Sequence, residues 1–205
     1  MLMSTVMATP APPRGRPRSA RRSAAVLAAA LEEIGARGIA GMTIESVAAR
    51  AGVSKVTVYR RWPDKIALVL AALDSLPELP VPDTGDLVED LRCIRRDLLD
   101  VFARSNLADV IPALMAERRR SGHGDAIRGY VERRSEAFVA VVERARARGA
   151  LRTAMPTELI AHLISSPLAM SVMNREEPLT DEEWTQIVRT VVRGLQDDRV
   201  EEGTG

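Results

Sequence analysis

Between Ser54 and Lys65 the chain carries Ser54, Lys55, Val56, Thr57, Tyr59, Arg60, Arg61 and Lys65, with no acidic side chain before Asp64. Hydroxyls and cations in this number supply hydrogen-bond donors, so the chemistry they point to is recognition of an anion. Lys55 can donate to guanine O6 or N7, and Val56 can touch a thymine methyl, contacts that read base edges in a major groove. Thr43, Ser54, Thr57, Tyr59, Arg60, Arg61 and Lys65 stand near element ends, where contacts to phosphate fix register without reading sequence.

Such side chains act together only if short helices hold them, and the apolar spacing predicts those helices. Val26, Leu27, Ala30, Leu31 and Ile34 follow the spacing of a helix with one buried face, and Gly38 is placed to stop it. Thr43 is an N-cap for a second helix that turns Ile44, Val47 and Ala48 inward, with Glu45 in its first turn. Gly52 supplies the positive-φ turn into a third helix from about Ser54 to Arg60, whose Val58 faces back to the core. A fourth begins near Asp64 and carries Ile66, Leu68, Val69, Leu70 and Leu73. Trp62 is expected to pack the fourth helix onto the first.

The block from Thr43 to Lys65 resembles the TetR family of regulators. The matching features are Gly52-Val53-Ser54, Thr57 two residues before Tyr59, the aromatic Trp62 three beyond it, and Lys65 opening the next helix. The C-terminal run Leu163 to Met170, with Glu177-Pro-Leu179 and a last helix ending Arg193-Gly-Leu195, is similar to a dimerisation region of that family. The pair Arg60-Arg61 departs from the family's usual residues before the final aromatic. The resemblance implies an all-α fold, a three-helix DNA-binding domain, a helical ligand-binding and dimerisation domain, and about nine helices.

Charge distribution agrees with a divided chain. The 205 residues have a net charge of only +1, yet Met1 to Lys65 hold eleven basic and four acidic residues, and the remainder 18 and 24. One part is expected to meet a polyanion and the other not. Residues 1–18 read as a disordered basic arm, 19–75 as the helix-turn-helix domain with its connecting helix, 76–199 as the regulatory body and 200–205 as a disordered tail. Five arginines fall within residues 14–22, and Arg14-Gly-Arg16-Pro17 resembles an AT-hook for a narrow minor groove. An unspecific cationic tail is the equal alternative.

Three prolines between Leu76 and Asp83 forbid a continuous helix and mark the junction. Beyond it come helices over Leu87 to Phe102, over Leu107 to Arg119 with Pro112 near the first turn, and over Asp125 to Arg148 closed by Gly149. Two more follow, from Pro156 to about Met173 with Pro167 inside, and from Thr180, where Glu183 completes a capping box and Leu179 staples to Trp184. Phe102, Leu114, Met115, Tyr130, Phe138 and Met170 are candidates to line an apolar effector pocket, although plain core explains the same spacing. Trp184, Ile187, Val188, Val191 and Leu195 form a stripe expected at a homodimer interface, unless it packs on its own subunit.

The same sequence argues against other classes. Cys93 is the only cysteine, and His123 and His162 are the only histidines, so neither a metal nor a cofactor is expected. No apolar run nears the roughly 18 residues of a membrane span, and Met1 to Pro13 does not read as a signal peptide, so the expected location is the cytoplasm. No phosphate loop or catalytic constellation supports an enzyme. The leading expectation is a repressor released from a palindromic operator by a small apolar or amphipathic effector; an effector-independent DNA-binding or architectural protein is the alternative.

Overall fold

The computed structural model describes residues 16–105, 107–120, 122–174 and 179–196. Among the described residues the chain forms nine helices and no strand: α1 (Arg16–Gly41), α2 (Ile44–Arg50), α3 (Lys55–Tyr59), α4 (Lys65–Asp74), α5 (Leu87–Ser105), α6 (Leu107–Arg120), α7 (Gly124–Ala147), α8 (Thr157–Asn174) and α9 (Asp181–Gln196).

Helix α1 starts at Arg16, inside the segment expected to be a free arm. Pro17 suits a first turn, where its missing amide has no intrahelical partner to lose. Arg14 lies outside the described residues, as do most of the arm and residues 200–205. Gly38 takes φ 66° and ψ 175°, the break expected there, but the chain resumes a turn as far as Gly41 before Thr43 caps α2. Gly52, with φ 65°, makes the turn from α2 to α3.

Two apolar cores hold the elements. The first gathers Val26, Ala30 and Ile34 of α1, Val47 and Ala48 of α2, Val58 of α3, and Leu68, Val69 and Leu73 of α4. Val110 and Leu114 of α6, with Ile127 and Tyr130 of α7, complete it, so the first four helices share packing with the body across the expected boundary at residue 75. The second core joins Leu91 and Ile94 of α5, Val141 and Val142 of α7, Ile160, Ile164 and Leu168 of α8, and Trp184 and Val188 of α9.

The proline-rich junction is irregular, as its missing amides require, and arginines of α7 satisfy part of its backbone. Arg134 donates to the Pro77 carbonyl at 2.9 Å, Arg144 to that of Pro82, and Arg144 and Arg148 pair with Asp83. Pro112 lies just past the first turn of α6, and there it removes an amide from the helical ladder. At the start of α9, Thr180 and Glu183 exchange the expected capping bonds at 2.8 and 3.2 Å. Arg92 and Arg95 of α5 grip Asp181 beside that cap, fixing α9 against the bundle.

Candidate nucleic-acid interface

Helix α3 has five residues and owes its position to its surroundings. Val58 is fully buried, Ser54 accepts the Thr57 amide at 3.3 Å, and the Ser54 and Thr57 hydroxyls lie 2.9 Å apart. With Val58 anchored, the 3.6-residue period turns the other positions outward. Val56 is 71% exposed and Tyr59 44%, large fractions for apolar and aromatic side chains with a core beside them. Lys55 is exposed too, and its ammonium lies 3.6 Å from Glu45 of α2. The Thr43 hydroxyl accepts the Ser46 amide at 3.0 Å, so it caps α2 while its own proton remains available to an outside acceptor.

Arg60 and Arg61 form one wall of a notch of about 320 Å³ whose other wall is Ser19, Arg22 and Ser23 of α1, with Val26 and Trp62 beneath. Arg61 donates to the Ser23 hydroxyl, and its guanidinium carbon lies 5.7 Å from the centroid of the Trp62 ring. Trp62 itself is buried in the first core, as expected of a residue that joins α4 to α1. Three cations and three hydroxyls around one recess suit a phosphate. The α1 wall was missed because Arg22 reads as part of an arginine run; its signal was the helical spacing of Ser19, Arg22, Ser23 and Val26.

The Lys65 ammonium donates to the Ala40 carbonyl at 3.0 Å, and the side chain is half-buried. Burial pushes its pKa down while Glu117 opposes the shift. That bond makes Lys65 a structural tie between α4 and the end of α1, and it leaves two of the ammonium's three hydrogens for other acceptors.

The frame behind the interface includes another unanticipated group. Arg50 of α2 bonds Glu33 of α1 at 2.8 Å and Glu32 at 3.1 Å. Glu33 is buried, and the Ser46 hydroxyl followed by the Arg50 guanidinium holds its carboxyl below the ordinary range. These bonds tie α2 to α1 beside their shared apolar packing.

The profile of bacterial regulatory proteins of the tetR family matches residues 26–72, and that of the tetracyclin repressor-like C-terminal domain matches residues 81–191. The chain belongs to the TetR family. Among TetR-family relatives, it is 29% identical over 194 residues to the uncharacterized HTH-type transcriptional regulator YdeS of Bacillus subtilis (strain 168), covering 89% of this chain and 94% of the relative. It is 33% identical over 172 residues to the DNA-binding transcriptional repressor TetR of Mycobacteroides abscessus, covering 80% and 88%. The crystal structure of TetR family transcription regulator SCO0332 superposes with a TM-score of 0.66 at 27% identity, covering 85% of this chain and 98% of that one. The chain is therefore a DNA-binding transcriptional regulator and not an enzyme, and dimer formation comes with the family.

Two groups of body residues in this TetR-family chain divide between core and surface. Leu114 and Tyr130 are buried in the first core, with Phe102 and Met115 against it, while Phe138 belongs to the second. Met170 is 54% exposed on the outer face of α8, so the six do not surround one pocket, and Met170 is corrected to a surface residue. Trp184, Val188 and Leu195 are buried in the chain's own second core, because α9 must close the bundle over α5 and α8. They are corrected from interface to core. Ile187 and Val191 are only half-buried. Instead, Leu159, Leu163 and Met170 of α8 are exposed at spacings of four and seven, which puts them on one face. Among the described residues no helix is long and apolar enough to cross a membrane.

Proposed function

We propose that the chain is a repressor that binds a palindromic operator as a homodimer and is released from it by a small apolar or amphipathic effector. The observation that carries the DNA half of this reading is α3, anchored by Val58 and offering Lys55 and Val56 outward between the Thr43 cap and the arginine notch. Lys55 and Val56 read base edges, while Thr43, Ser54, Thr57, Tyr59, Arg60 and Arg61 hold phosphate. Ser19, Arg22 and Ser23 join the phosphate set. The head is residues 19–75 and the body 76–199. The sign of regulation follows the relative that is named a DNA-binding transcriptional repressor.

The two-fold partner is read as meeting the chain through α8. Leu159, Leu163 and Met170 are large apolar side chains left to solvent on one helix face, and a second copy would cover them isologously. The half-buried Ile187 and Val191 remain available to widen that contact.

Effector-independent binding is the second reading, favoured by the placement of Leu114, Tyr130 and Phe138 inside packed cores. Selecting duplexes from a randomised pool and then titrating apolar compounds against the bound complex separates the two. Enrichment of a two-fold symmetric site, and its release by an apolar compound that raises the melting temperature of the free protein, is the expected outcome. A complex stable to every apolar compound in the screen favours the second reading.

A further inference from the structure

Asp64 makes two bonds in two directions. Its Oδ1 accepts the Ala67 amide at 2.8 Å and caps α4, while its Oδ2 lies 3.0 Å from His123 Nε2. A carboxylate only accepts, so the ring N–H is the donor. His123 occupies the N-cap position of α7 but makes no capping bond there with its side chain. The ring is instead directed to a residue 59 positions away, at the base of the DNA-reading head.

The location makes this bond mechanically useful. Only four residues, Arg60 to Pro63, separate α3 from Asp64, and Trp62 among them is buried in the first core, so a displacement of Asp64 is passed to α3 over a short, anchored connection. The adjacent Lys65 ties α4 to Ala40 at the end of α1, and Glu117 of α6 lies close enough to act on its ammonium. Head and body also share the apolar packing of Val110, Leu114, Ile127 and Tyr130, which brings them together without singling out one pair of atoms. A hydrogen bond from a ring to a capping carboxylate has direction.

We propose that His123 is a positioning residue for DNA recognition, which through Asp64 fixes the angle of the recognition helix relative to the body. The inference rests on the DNA-binding reading of α3. Its consequence is selective: one head can engage one half-site whatever its angle to the body, whereas a palindrome needs two recognition helices about 34–36 Å apart, or a multiple, at once.

The experiment uses the full chain and a site selected from randomised duplexes, with Kd measured by fluorescence anisotropy for the palindrome and for a single half-site. Thermal melting checks that each variant is folded. His123→Ala and Asp64→Ser, the latter preserving a good N-cap while too short to reach the ring, should each weaken palindrome binding about five-fold or more, the scale of a coupling between sites. Half-site binding should be unchanged, the double variant should be no weaker than either single one, and His123→Gln, whose amide also donates, should recover most of the loss. Equal loss on both duplexes, additive losses, an unaffected palindrome or no recovery with glutamine would overturn the assignment of His123. Failure of the unaltered protein to select any duplex would sink the DNA reading itself, and with it this inference.

Discussion

The DNA-reading head and the α8–α9 end of the body are both built of helices over an apolar core, yet they treat exposed side chains differently. In the head the residues left outside are cations and hydroxyls around Val56 and Tyr59, so exposure carries chemical information. At the other end the exposed residues of α8 are Leu159, Leu163 and Met170, while the large side chains Trp184 and Val188 of α9 are fully buried. An apolar stripe at helical spacing is necessary for burial but does not say in which molecule the burial occurs. Function in the head is therefore legible from residue type, and assembly in the body only from packing.

The sharpest test of that contrast compares Trp184→Ala with Leu163→Glu. Truncating the fully buried Trp184 should cost about 3–5 kcal/mol and lower the thermal midpoint of unfolding. Leu163→Glu together with Met170→Glu should leave a folded chain that sediments as a monomer and holds a palindrome weakly. A charged α8 face that still dimerises would move the interface elsewhere.

Within the head, the distinction between reading and gripping is smaller in energy. Lys55→Ala should lose about 1–3 kcal/mol of discrimination at one base step. Arg61→Ala should weaken all duplexes alike and reduce the salt slope by about one. Lys65→Ala should lower the melting temperature slightly and leave the salt slope unchanged, since its ammonium is held by Ala40. A slope reduced by Lys65→Ala as much as by Arg61→Ala would show that Lys65 also contacts phosphate.

The smallest effect expected is a pH dependence at the junction. Arg148, followed by Arg144, holds the Asp83 carboxyl below its ordinary value. A depressed carboxyl stabilises the fold above its unfolded pKa, and that contribution is lost as pH falls through the folded value. Asp83→Asn should therefore flatten the acid limb of a stability profile below about pH 4, the carboxylate range, with little change at neutrality. An unchanged acid limb would show that these arginines hold the linker through the Pro82 and Pro77 carbonyls alone.

Much of the scaffold could be read in advance because its signals are local. Thr43, Asp64 and Thr180 cap helices, and Gly52 takes positive φ, as their residue types predict. The outward set on α3 was legible because a single buried residue, Val58, fixes the phase of a five-residue helix. What was not legible depends on long-range contact. Arg50 meets Glu33 and His123 meets Asp64 across 17 and 59 residues, which no helical periodicity encodes. Lys65 has the residue type of a phosphate ligand, and only the proximity of Ala40 shows where its ammonium goes. Met170 and Val188 share one apolar character, and topology alone sends the first outward and the second into the core.

The most direct test of the central claim, that α3 reads DNA through Lys55, is the specificity profile of the unaltered chain beside Lys55→Ala, each selected on the same randomised duplex pool. The unaltered chain should enrich a two-fold symmetric sequence, and the variant should enrich the same sequence with preference lost at one base step in each half. A variant profile that matches the unaltered one at every position, or lost preference spread evenly over the site, would contradict it.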